Sequence, residues 1–360
     1  MIITFSKLRK PLMLAIASLV LSAVALPTSA TIGSTTIDVR SKGAFGDGQH
    51  NDTAAFQAAI NALPSTGGTV TVPAGRYMID ASRAINLRSH TRLRMDPLAE
   101  LDVIPNSLGR YWAVKVWYVS DVEITGGKIV GDRAQHLGTT GEWGYGINIT
   151  ASNSVSISDI TVSNCWGDGV IVSAAGSGST IKMSGNVVLN RVVSTNNRRQ
   201  GLTIAPSHDV LVMNSTFSNS NGTAPQAGID IEPMTQGAVA NVRLVNNVMS
   251  GNRGNGLEVH DNVSGLIVSH NTLQGNHGFG VFTASPGTVA IDSNLITQNG
   301  LAGAAINGSS HDVNVTNNAL TLNSTRYMPI TATGGGLGRD LHVSTTTVNI
   351  YVAGNQFSPR

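Results

Sequence analysis

The five residues Gly228-Ile229-Asp230-Ile231-Glu232 show how this chain is built, because apolar and polar residues alternate in them directly after a glycine. The same phrase occurs seven times between Tyr145 and Ser309. Its copies start at Gly146, Gly169, Gly201, Gly228, Gly256, Gly280 and Gly303. Successive glycines are 23 to 32 residues apart. One strand-like phrase per period of this length is typical of a β-solenoid, in which each repeat stacks on the next.

A second repeated phrase precedes the glycine phrases and is rich in asparagine, as residues 155–164, 242–252 and 289–299 illustrate. Each copy reads as two short alternating strands around a bend. Asparagine tolerates the left-handed backbone of such bends, and its amide can satisfy backbone groups there. Three short strands per turn and few hairpin signals predict an all-β fold, namely a right-handed single-stranded parallel β-helix of about ten coils. The asparagines are expected to stack in an internal ladder.

The first 30 residues are predicted to form a secretory signal peptide. A basic start with Lys7, Arg9 and Lys10 precedes an apolar run at 11–26 and small residues at 28–30. Residues 31–360 are predicted to form one parallel β-helix domain, secreted or periplasmic and without a membrane span. Without the three basic residues of the leader the formal charge changes from +2 to −1, which argues against a nucleic-acid partner.

Residues 37–66 are predicted to cap the first coil, because a solenoid otherwise exposes an apolar cross-section there. Within this segment Asp52 is the expected N-cap of a helix, with Phe56 and Ile60 on its apolar face. We therefore interpret Asp47 and Asp52 as structural residues.

Four short motifs lie in and just after this segment. They are Gly43-Ala-Phe-Gly46-Asp-Gly48, Asn51-Asp-Thr53, Gly67-Gly-Thr-Val70 and Val72-Pro-Ala-Gly75-Arg-Tyr77. Together they resemble the start of the pectate-lyase-like parallel β-helix proteins, which include polygalacturonases, rhamnogalacturonases, phage tailspike-type depolymerases and alginate C5-epimerases. The resemblance implies the parallel β-helix fold and a polysaccharide substrate. It does not select the reaction, because these families share a scaffold and differ in chemistry.

Residues with acid–base chemistry are concentrated in neighbouring glycine phrases. Apart from Thr283, the residues one and three after these glycines are apolar and are expected to face the core, so those two and four after them should face solvent. These outward positions carry Asp230, Glu232, Glu258, His260 and Phe282. Stacking about 4.8 Å apart places Asp230 beside Glu258 and Glu232 beside His260. Repulsion between the carboxylates should raise the pKa of one of them.

A protonated carboxyl group beside an ionised one can catalyse glycoside hydrolysis, with Asp230, Glu232 and Glu258 supplying acid and base. The alternative is an electrostatic ladder on the surface or a bound cation, for which Ca²⁺ is the metal considered. The sequence indicates no other cofactor. Asp168 is a further catalytic candidate, since Gly167-Asp168-Gly169 is similar to the Gly-Asp-Asp of polygalacturonases with the second Asp missing. The Ser-Gly-His-Gly and Arg-Ile-Lys motifs of those enzymes are absent.

Substrate-binding residues are expected around this cluster, which the inserted segments 174–185 and 221–226 should wall. Arg198 and Arg199 suit a sugar carboxylate or sulfate, which predicts an anionic polysaccharide. The alternative is that these arginines neutralise nearby carboxylates of the protein, Asp168 and Asp230. The other candidates are Gln200, His136, Glu142, Trp143, Tyr145 and Phe282. The aromatic residues among them would stack on sugar rings or pack under a loop.

Three functions remain open at this point. The first is a hydrolase of an acidic polysaccharide. The second is a lyase or C5-epimerase in which Arg198 or Arg199 neutralises a uronate carboxylate and His260 or a carboxylate takes the C5 proton. In alginate C5-epimerases the catalytic Asp stands two after a glycine, within Tyr-Gly-Phe-Asp-Pro-His, and Asp230 has that offset without the motif's Tyr and His. The third is a β-helix that binds glycans without catalysis.

Overall fold

The computed structural model describes residues 31–326 and 338–358, so the predicted signal peptide lies outside the described residues. The chain passes in turn through three long sheets, here named A, B and C, whose neighbouring strands run parallel. In the described part of the chain, sheets A and B have 12 strands each and sheet C has 10. These three sheets confirm the predicted parallel β-helix.

The strands are short and follow the order of the sequence within each sheet. Sheet A contains Thr35–Asp38, Gly68–Val72, Thr91–Met95, Ser120–Thr125, Asn153–Ser158, Ser184–Asn190, Ser207–Met213, Val239–Val245, Val263–Ser269, Gly287–Asp292, His311–Thr316 and Val348–Ala353. Sheet B contains Asp47–Asn51, Gly75–Ile79, Ala99–Val103, Lys128–Val130, Thr161–Ser163, Val193–Thr195, Thr216–Ser218, Val248–Ser250, Thr272–Gln274, Leu295–Thr297, Ala319–Thr321 and Gln356–Phe357. Sheet C contains Ile85–Asn86, Arg110–Trp117, Trp143–Thr150, Val170–Ser173, Leu202–Ile204, Ile229–Ile231, Leu257–Val259, Val281–Ala284, Ala304–Asn307 and Leu341–Val343.

The α-helix Thr53–Asn61 occupies, in the first coil, the place that a strand of sheet C takes in later coils. Its residues Phe56 and Ile60 are fully buried, and the Phe56 ring meets the edge of Tyr77 at a centroid distance of 5.4 Å. The side-chain amide of Gln57 accepts a hydrogen bond from Asn86 N at 3.0 Å and donates one to Asn86 O at 3.2 Å. One side chain therefore pairs with the first strand of sheet C as a neighbouring strand would.

The predicted N-cap role of Asp52 is wrong in its detail. The helix does begin at the next residue, but the Asp52 carboxylate accepts hydrogen bonds from Phe45 N at 2.7 Å and Gly46 N at 3.2 Å instead of capping the helix. Asn51 Oδ1 accepts from Thr53 N at 3.1 Å in its place. The glycine-rich loop before the helix thus competes successfully for the carboxylate. Two short 3₁₀ helices, Val39–Lys42 and Gly178–Thr180, complete the helical elements of the described residues, none of which is long and apolar enough to span a membrane.

The interior of the solenoid is filled by the alternating apolar residues and by stacked asparagines. Ile229, Ile231 and Leu257 are fully buried, as their positions one and three after a glycine predict. One ladder runs through Asn247, Asn271, Asn294, Asn318 and Asn355, and a second through Asn252, Asn276, Asn299, Asn323 and Asp340. In both, each amide Nδ2 donates to Oδ1 of the next coil at 2.9 to 3.1 Å. The ladders confirm the predicted internal stacking of asparagine.

Candidate functional site

Two rows of side chains run along sheet C, one position per coil. The first row, which directly precedes the glycine position, is Trp112, Tyr145, Asp168, Gln200, Ala227, Asn255 and Phe279. The second row, two residues after the glycine position, is Lys115, Asn148, Ile171, Thr203, Asp230, Glu258 and Phe282. Side chains of the two rows meet within a coil, as in the stacked rings of Phe279 and Phe282 at 5.3 Å. Each coil therefore presents one pair of residues.

Asp230, Glu258 and His260 form a compact acid–base cluster. Asp230 and Glu258 are register partners on neighbouring strands, as the spacing predicts. His260 Nε2 lies 3.2 Å from Asp230 Oδ1 and 3.6 Å from Glu258 Oε1. The contact with Asp230 raises the pKa of His260 to about 9, so the imidazole is cationic at neutral pH. Burial and then the charge of Asp230 raise the pKa of Glu258.

The four residues of the predicted catalytic group differ in their access to solvent. The prediction that Asp230 faces solvent is wrong, since its side chain is only 1% exposed. The side chains of Glu258, Glu232 and His260 are 15%, 30% and 34% exposed. Asp230 is covered because Gln200, from the first row, donates a hydrogen bond to its Oδ2 and because His260 lies against its Oδ1. The alternation of apolar and polar residues correctly puts Asp230 on the outer face of the strand, but it cannot predict that the Gln200 and His260 side chains cover it.

Arg199 connects the carboxylates on the other side of the cluster. Its Nη1 lies 3.2 Å from Asp168 Oδ2, its Nη2 lies 3.1 Å from Glu232 Oε2, and its Nε lies 4.0 Å from Glu142 Oε2. Burial acts against the charge, but Asp168 and Glu232 raise the pKa of Arg199. Burial also raises the pKa of Asp168 to about 6, with Arg199 acting in the opposite direction. Arg199 is thus held by the protein's own carboxylates. This arrangement corresponds to the alternative given above, in which the arginine neutralises carboxylates of the protein instead of binding substrate.

A hydrogen-bonded relay joins Asp168 to Asp230 beneath this surface. The Thr203 hydroxyl lies 2.7 Å from Asp168 Oδ2 and also contacts Gln200 Oε1. Gln200 Oε1 accepts from Arg199 Nη1 at 2.8 Å, and Gln200 Nε2 donates to Asp230. Asp168, Gln200 and Thr203 are fully buried. Asp168 and Gln200 therefore lack the solvent access that their predicted catalytic and substrate-binding roles require, and Thr203, which the sequence did not single out, belongs to the same buried network.

Arg198 and His136 also lie in packed surroundings. The Arg198 guanidinium stacks over Trp166 at 3.9 Å and donates to Gly141 O at 2.9 Å. The His136 side chain is fully buried, with Nδ1 2.8 Å from Asp132 Oδ2, and its ring stacks on Trp166 at 3.9 Å. The predicted substrate contact of His136 is wrong for this structure, because the loop that carries it folds inward over Asp132.

The three aromatic residues predicted to stack on sugar rings differ in their exposure to solvent. Tyr145 is 8% exposed and offers no ring face, so its predicted stacking role is wrong. Trp143 is 38% exposed and carries the Arg110 guanidinium over its ring at 4.7 Å. Phe282 is half-buried and is the register partner of Glu258. Phe282 therefore stays next to the acid–base cluster.

The two inserted segments border sheet C in chain order, since residues 174–185 follow its strand Val170–Ser173 and residues 221–226 precede its strand Ile229–Ile231. In the first, Ala175 and Lys182 form an antiparallel bridge, and Lys182 Nζ lies 6.0 Å from the ring centroid of Tyr118. In the second, Asn221 Oδ1 accepts from Arg133 Nη2 at 2.6 Å. No group of three or more His, Cys, Asp or Glu side chains in the described residues is arranged to hold a metal ion. The carboxylates of the site have His260, Arg199 and Asn255 as partners instead.

One signal near the site was overlooked in the sequence. Residues 145–150, Tyr-Gly-Ile-Asn-Ile-Thr, share Tyr145 and Gly146 with the motif Tyr-Gly-Phe-Asp-Pro-His, but Asn148 stands in place of its Asp and Thr150 in place of its His. Asn148 is buried, and its Oδ1 accepts from Trp117 Nε1 at 2.6 Å. This coil therefore has no carboxylate at the position where the epimerase motif has its catalytic Asp. The carboxylates lie three strands further along sheet C, at Asp230.

Comparisons with known proteins agree with this architecture. A curated relative, the uncharacterized protein YclG of Bacillus subtilis (strain 168), is 31% identical over 275 residues, which are 68% of this chain and 47% of the relative. The chain thus spans about half the length of that relative. The A-module of mannuronan C-5 epimerase AlgE6 from Azotobacter vinelandii superposes with a TM-score of 0.74 at 20% identity, over 88% of this chain and 85% of the module. PfbA, a surface adhesin of Streptococcus pneumoniae, superposes with a TM-score of 0.67 at 17% identity, over 89% and 91%.

Two family models together cover nearly all of the described residues. One, described as right handed beta helix region, matches residues 145–357, and this gives the handedness of the solenoid. The other, described as rhamnogalacturonase A/epimerase, pectate lyase-like, matches residues 36–228. Each covers more than half of the chain. The chain therefore belongs to the rhamnogalacturonase A/epimerase, pectate-lyase-like family of right-handed β-helix proteins.

Proposed function

We propose that this protein is an exported glycoside hydrolase that acts on a polysaccharide, with Glu258 as the general acid and Glu232 as the general base. The observation that carries the proposal is the contrast between these two solvent-reaching carboxyl groups. Burial and Asp230 raise the pKa of Glu258, whereas Glu232 accepts a hydrogen bond from the Arg199 guanidinium. Two carboxyl groups in such different environments suit the acid and base roles of glycoside hydrolysis.

Glu258 is held in place for proton donation. Asn255 Nδ2 donates to its Oε2 at 2.9 Å, and Oε1 lies 3.6 Å from the cationic His260. The side chain is partly buried but reaches solvent, so a glycosidic oxygen can approach it. In the proposed step Glu258 gives its proton to the leaving-group oxygen as the bond to the anomeric carbon breaks.

Glu232 is the proposed activator of the attacking water. It stands two residues beyond Asp230, the register partner of Glu258, so Glu232 and Glu258 are diagonal neighbours with Cα atoms about 8 Å apart. If the two carboxyl groups keep about this spacing, a water molecule fits between them, as in inverting enzymes, whose carboxyl groups are about 6.5 to 9.5 Å apart. We therefore propose inversion at the anomeric carbon. Asp230 and His260 act as an ion pair that fixes the Glu258 side of the cluster.

The second candidate is a lyase or C5-epimerase of uronate polymers. The observation in its favour is the cationic His260, which is partly exposed and could neutralise a uronate carboxylate while a neighbouring carboxylate takes the C5 proton. Against it stands Asn148, which occupies the position of the epimerase motif's Asp. Of the two arginines considered for neutralisation, Arg199 is already paired with Asp168 and Glu232, and Arg198 donates to Gly141 O.

The test is a panel of neutral, uronate and sulfated polysaccharides incubated with the chain from residue 31 onward. New reducing ends without absorbance near 230 nm (roughly where unsaturated products absorb) are expected, with the α/β ratio of the first product read by NMR. Absorbance, or deuterium entering C5 in D₂O without cleavage, would favour the second candidate. Binding without any reaction would leave the adhesin-like alternative, to which the likeness to PfbA corresponds. The matched control for Glu258→Gln is Glu123→Gln, which removes a carboxylate paired with Arg92 outside the site.

A further inference from the structure

A cation surrounded by tryptophan rings lies at the far end of the same two rows. Lys115 Nζ lies 3.8 Å from the ring centroid of Trp117 and 4.9 Å from that of Trp112. The two rings meet edge to face at 5.1 Å, and the Trp117 indole is fixed by its hydrogen bond to Asn148. All three side chains of this Lys115 cluster are partly exposed. The cluster thus combines an aromatic surface with an ammonium group held above it.

Within the described residues no carboxylate forms an ion pair with Lys115, and burial alone lowers the pKa of its ammonium group. Arg199, in contrast, is shared among carboxylates, and Arg198 donates to backbone carbonyls. A partly desolvated cation next to aromatic rings gains from an anionic partner that can also stack.

The position of the Lys115 cluster is fixed by the strand register. Lys115 belongs to the second row, and four strand steps lead from it through Asn148, Ile171 and Thr203 to Asp230. At about 4.8 Å per step this is about 19 Å. On the opposite side only one step separates Glu258 from Phe282, which stacks on Phe279. Aromatic pairs therefore flank the acid–base cluster at unequal distances.

We infer that the Lys115 cluster is a distal glycan subsite that selects a sugar carrying a carboxylate or sulfate group. A sugar ring stacks on Trp117 or Trp112, and its anionic group pairs with Lys115. Glu258 lies one strand step beyond Asp230, and a sugar unit is about as long as one strand spacing. This sugar therefore lies about five units from the bond at Glu258, with about one unit on the Phe282 side. This inference rests on the proposed polysaccharide-processing function and adds the charge and position of the recognised sugar.

The test measures binding separately from catalysis. Three hexasaccharides are titrated by calorimetry into a Glu258→Gln background, which keeps them intact: hexagalacturonate, a sulfated galactan hexamer and the neutral cellohexaose. Lys115→Met retains the aliphatic packing on the tryptophans and removes the charge. Lys128→Met, an exposed lysine on sheet B, is the matched control. Lys115→Gln is a second variant, and the melting temperature of each variant reports its folding.

At least one anionic hexamer should bind more tightly than cellohexaose, and Lys115→Met should weaken that binding about tenfold. Which anionic hexamer is preferred identifies carboxylate or sulfate as the recognised group. Equal affinity for charged and neutral hexamers, no binding of any of them, or unchanged binding in folded Lys115 variants would each overturn the inference. Anionic binding that depends on Lys115 but is followed by no reaction in the wild type would instead overturn the proposed hydrolase and leave the subsite standing.

Discussion

The asparagine ladders inside the solenoid and the two rows on sheet C share one coil spacing but use it differently. The ladder from Asn252 to Asn323 repeats one residue type in every coil and ends at Asp340. The rows change residue at almost every coil, from Lys115 at one end to Phe282 at the other. The interior has to satisfy the same backbone groups in each coil, whereas the outer face has no such constraint. The comparison predicts that ladder residues govern stability and row residues govern chemistry.

The largest effect is expected for a row residue, and it tests whether the rows govern chemistry. Glu258→Gln should lower kcat about 10³-fold on the polysaccharide that the wild type cleaves, because the amide cannot donate the proton. The melting temperature should stay close to that of the wild type, since Gln retains the volume and the Asn255 contact. Steady-state kinetics and thermal unfolding provide the two readouts, with Glu123→Gln as control. Full activity in Glu258→Gln would remove Glu258 from the acid role.

A ladder residue should show the opposite pattern. Asn276→Ala removes the oxygen that accepts from Asn252 N and Nδ2, and the amide that donates to Met249 O. The free energy of unfolding should fall by about 3 kcal/mol, measured by urea denaturation, because these groups remain buried. The folded fraction should keep its wild-type kcat. Gln274→Ala, an exposed amide in the same coil, is the control, and an equal loss of stability there would contradict the special role of the ladder.

The pH dependence of stability sharpens the comparison within the site. The folded pKa of His260, about 9, lies above its unfolded value of 6.5. The stabilisation by His260 is therefore fully present below pH 6.5 and is lost as the pH rises through 9. After allowance for solvent screening we expect a loss of about 1 kcal/mol over this range. His260→Gln should remove this loss, while His208→Gln, which changes a partly exposed histidine on sheet A, should keep the wild-type pH profile. Identical profiles for wild type and His260→Gln would contradict the Asp230–His260 ion pair.

The smallest effect is expected at the edge of the rows. Phe282→Ala removes a ring next to Glu258 that we expect to contact sugar at the short side of the site. KM should rise about threefold to tenfold with little change in kcat, as an aromatic contact contributes about 0.5–1.5 kcal/mol. Phe282→Tyr, which keeps the ring, should remain close to wild type. A change confined to kcat would place Phe282 in the chemistry instead of in binding.

The fold and the register of the site could be predicted from the sequence because stacking makes both depend on spacing. Asp230 beside Glu258, and the apolar core positions, follow directly from the glycine phrases. The burial of Asp230 could not be predicted, since it depends on how Gln200 turns across the bend before its glycine. Lys115 was overlooked because its coil has Ala113 where later coils have glycine.

The ion-pair partners of Arg199 show a second limit of prediction from the sequence. Asp168 and Glu232 are 31 and 33 residues from Arg199 in the sequence, and only the folded chain brings both carboxylates to its guanidinium. The same applies to His136, which turns inward to Asp132 instead of outward. Strand stacking predicts neighbours along a row, but contacts between a loop and a row depend on bend geometry that repeats do not encode.

The pairing of Gln57 with Asn86 has a consequence for the behaviour of the protein in solution. A sheet edge with free N–H and C=O groups is a template on which another chain can add a strand and start an aggregate. At the first strand of sheet C both groups of Asn86 are already bonded to one amide side chain. Gln57 therefore occupies the edge groups on which a strand of another chain would otherwise pair. We expect Gln57→Ala to increase light scattering on storage more than it lowers the melting temperature.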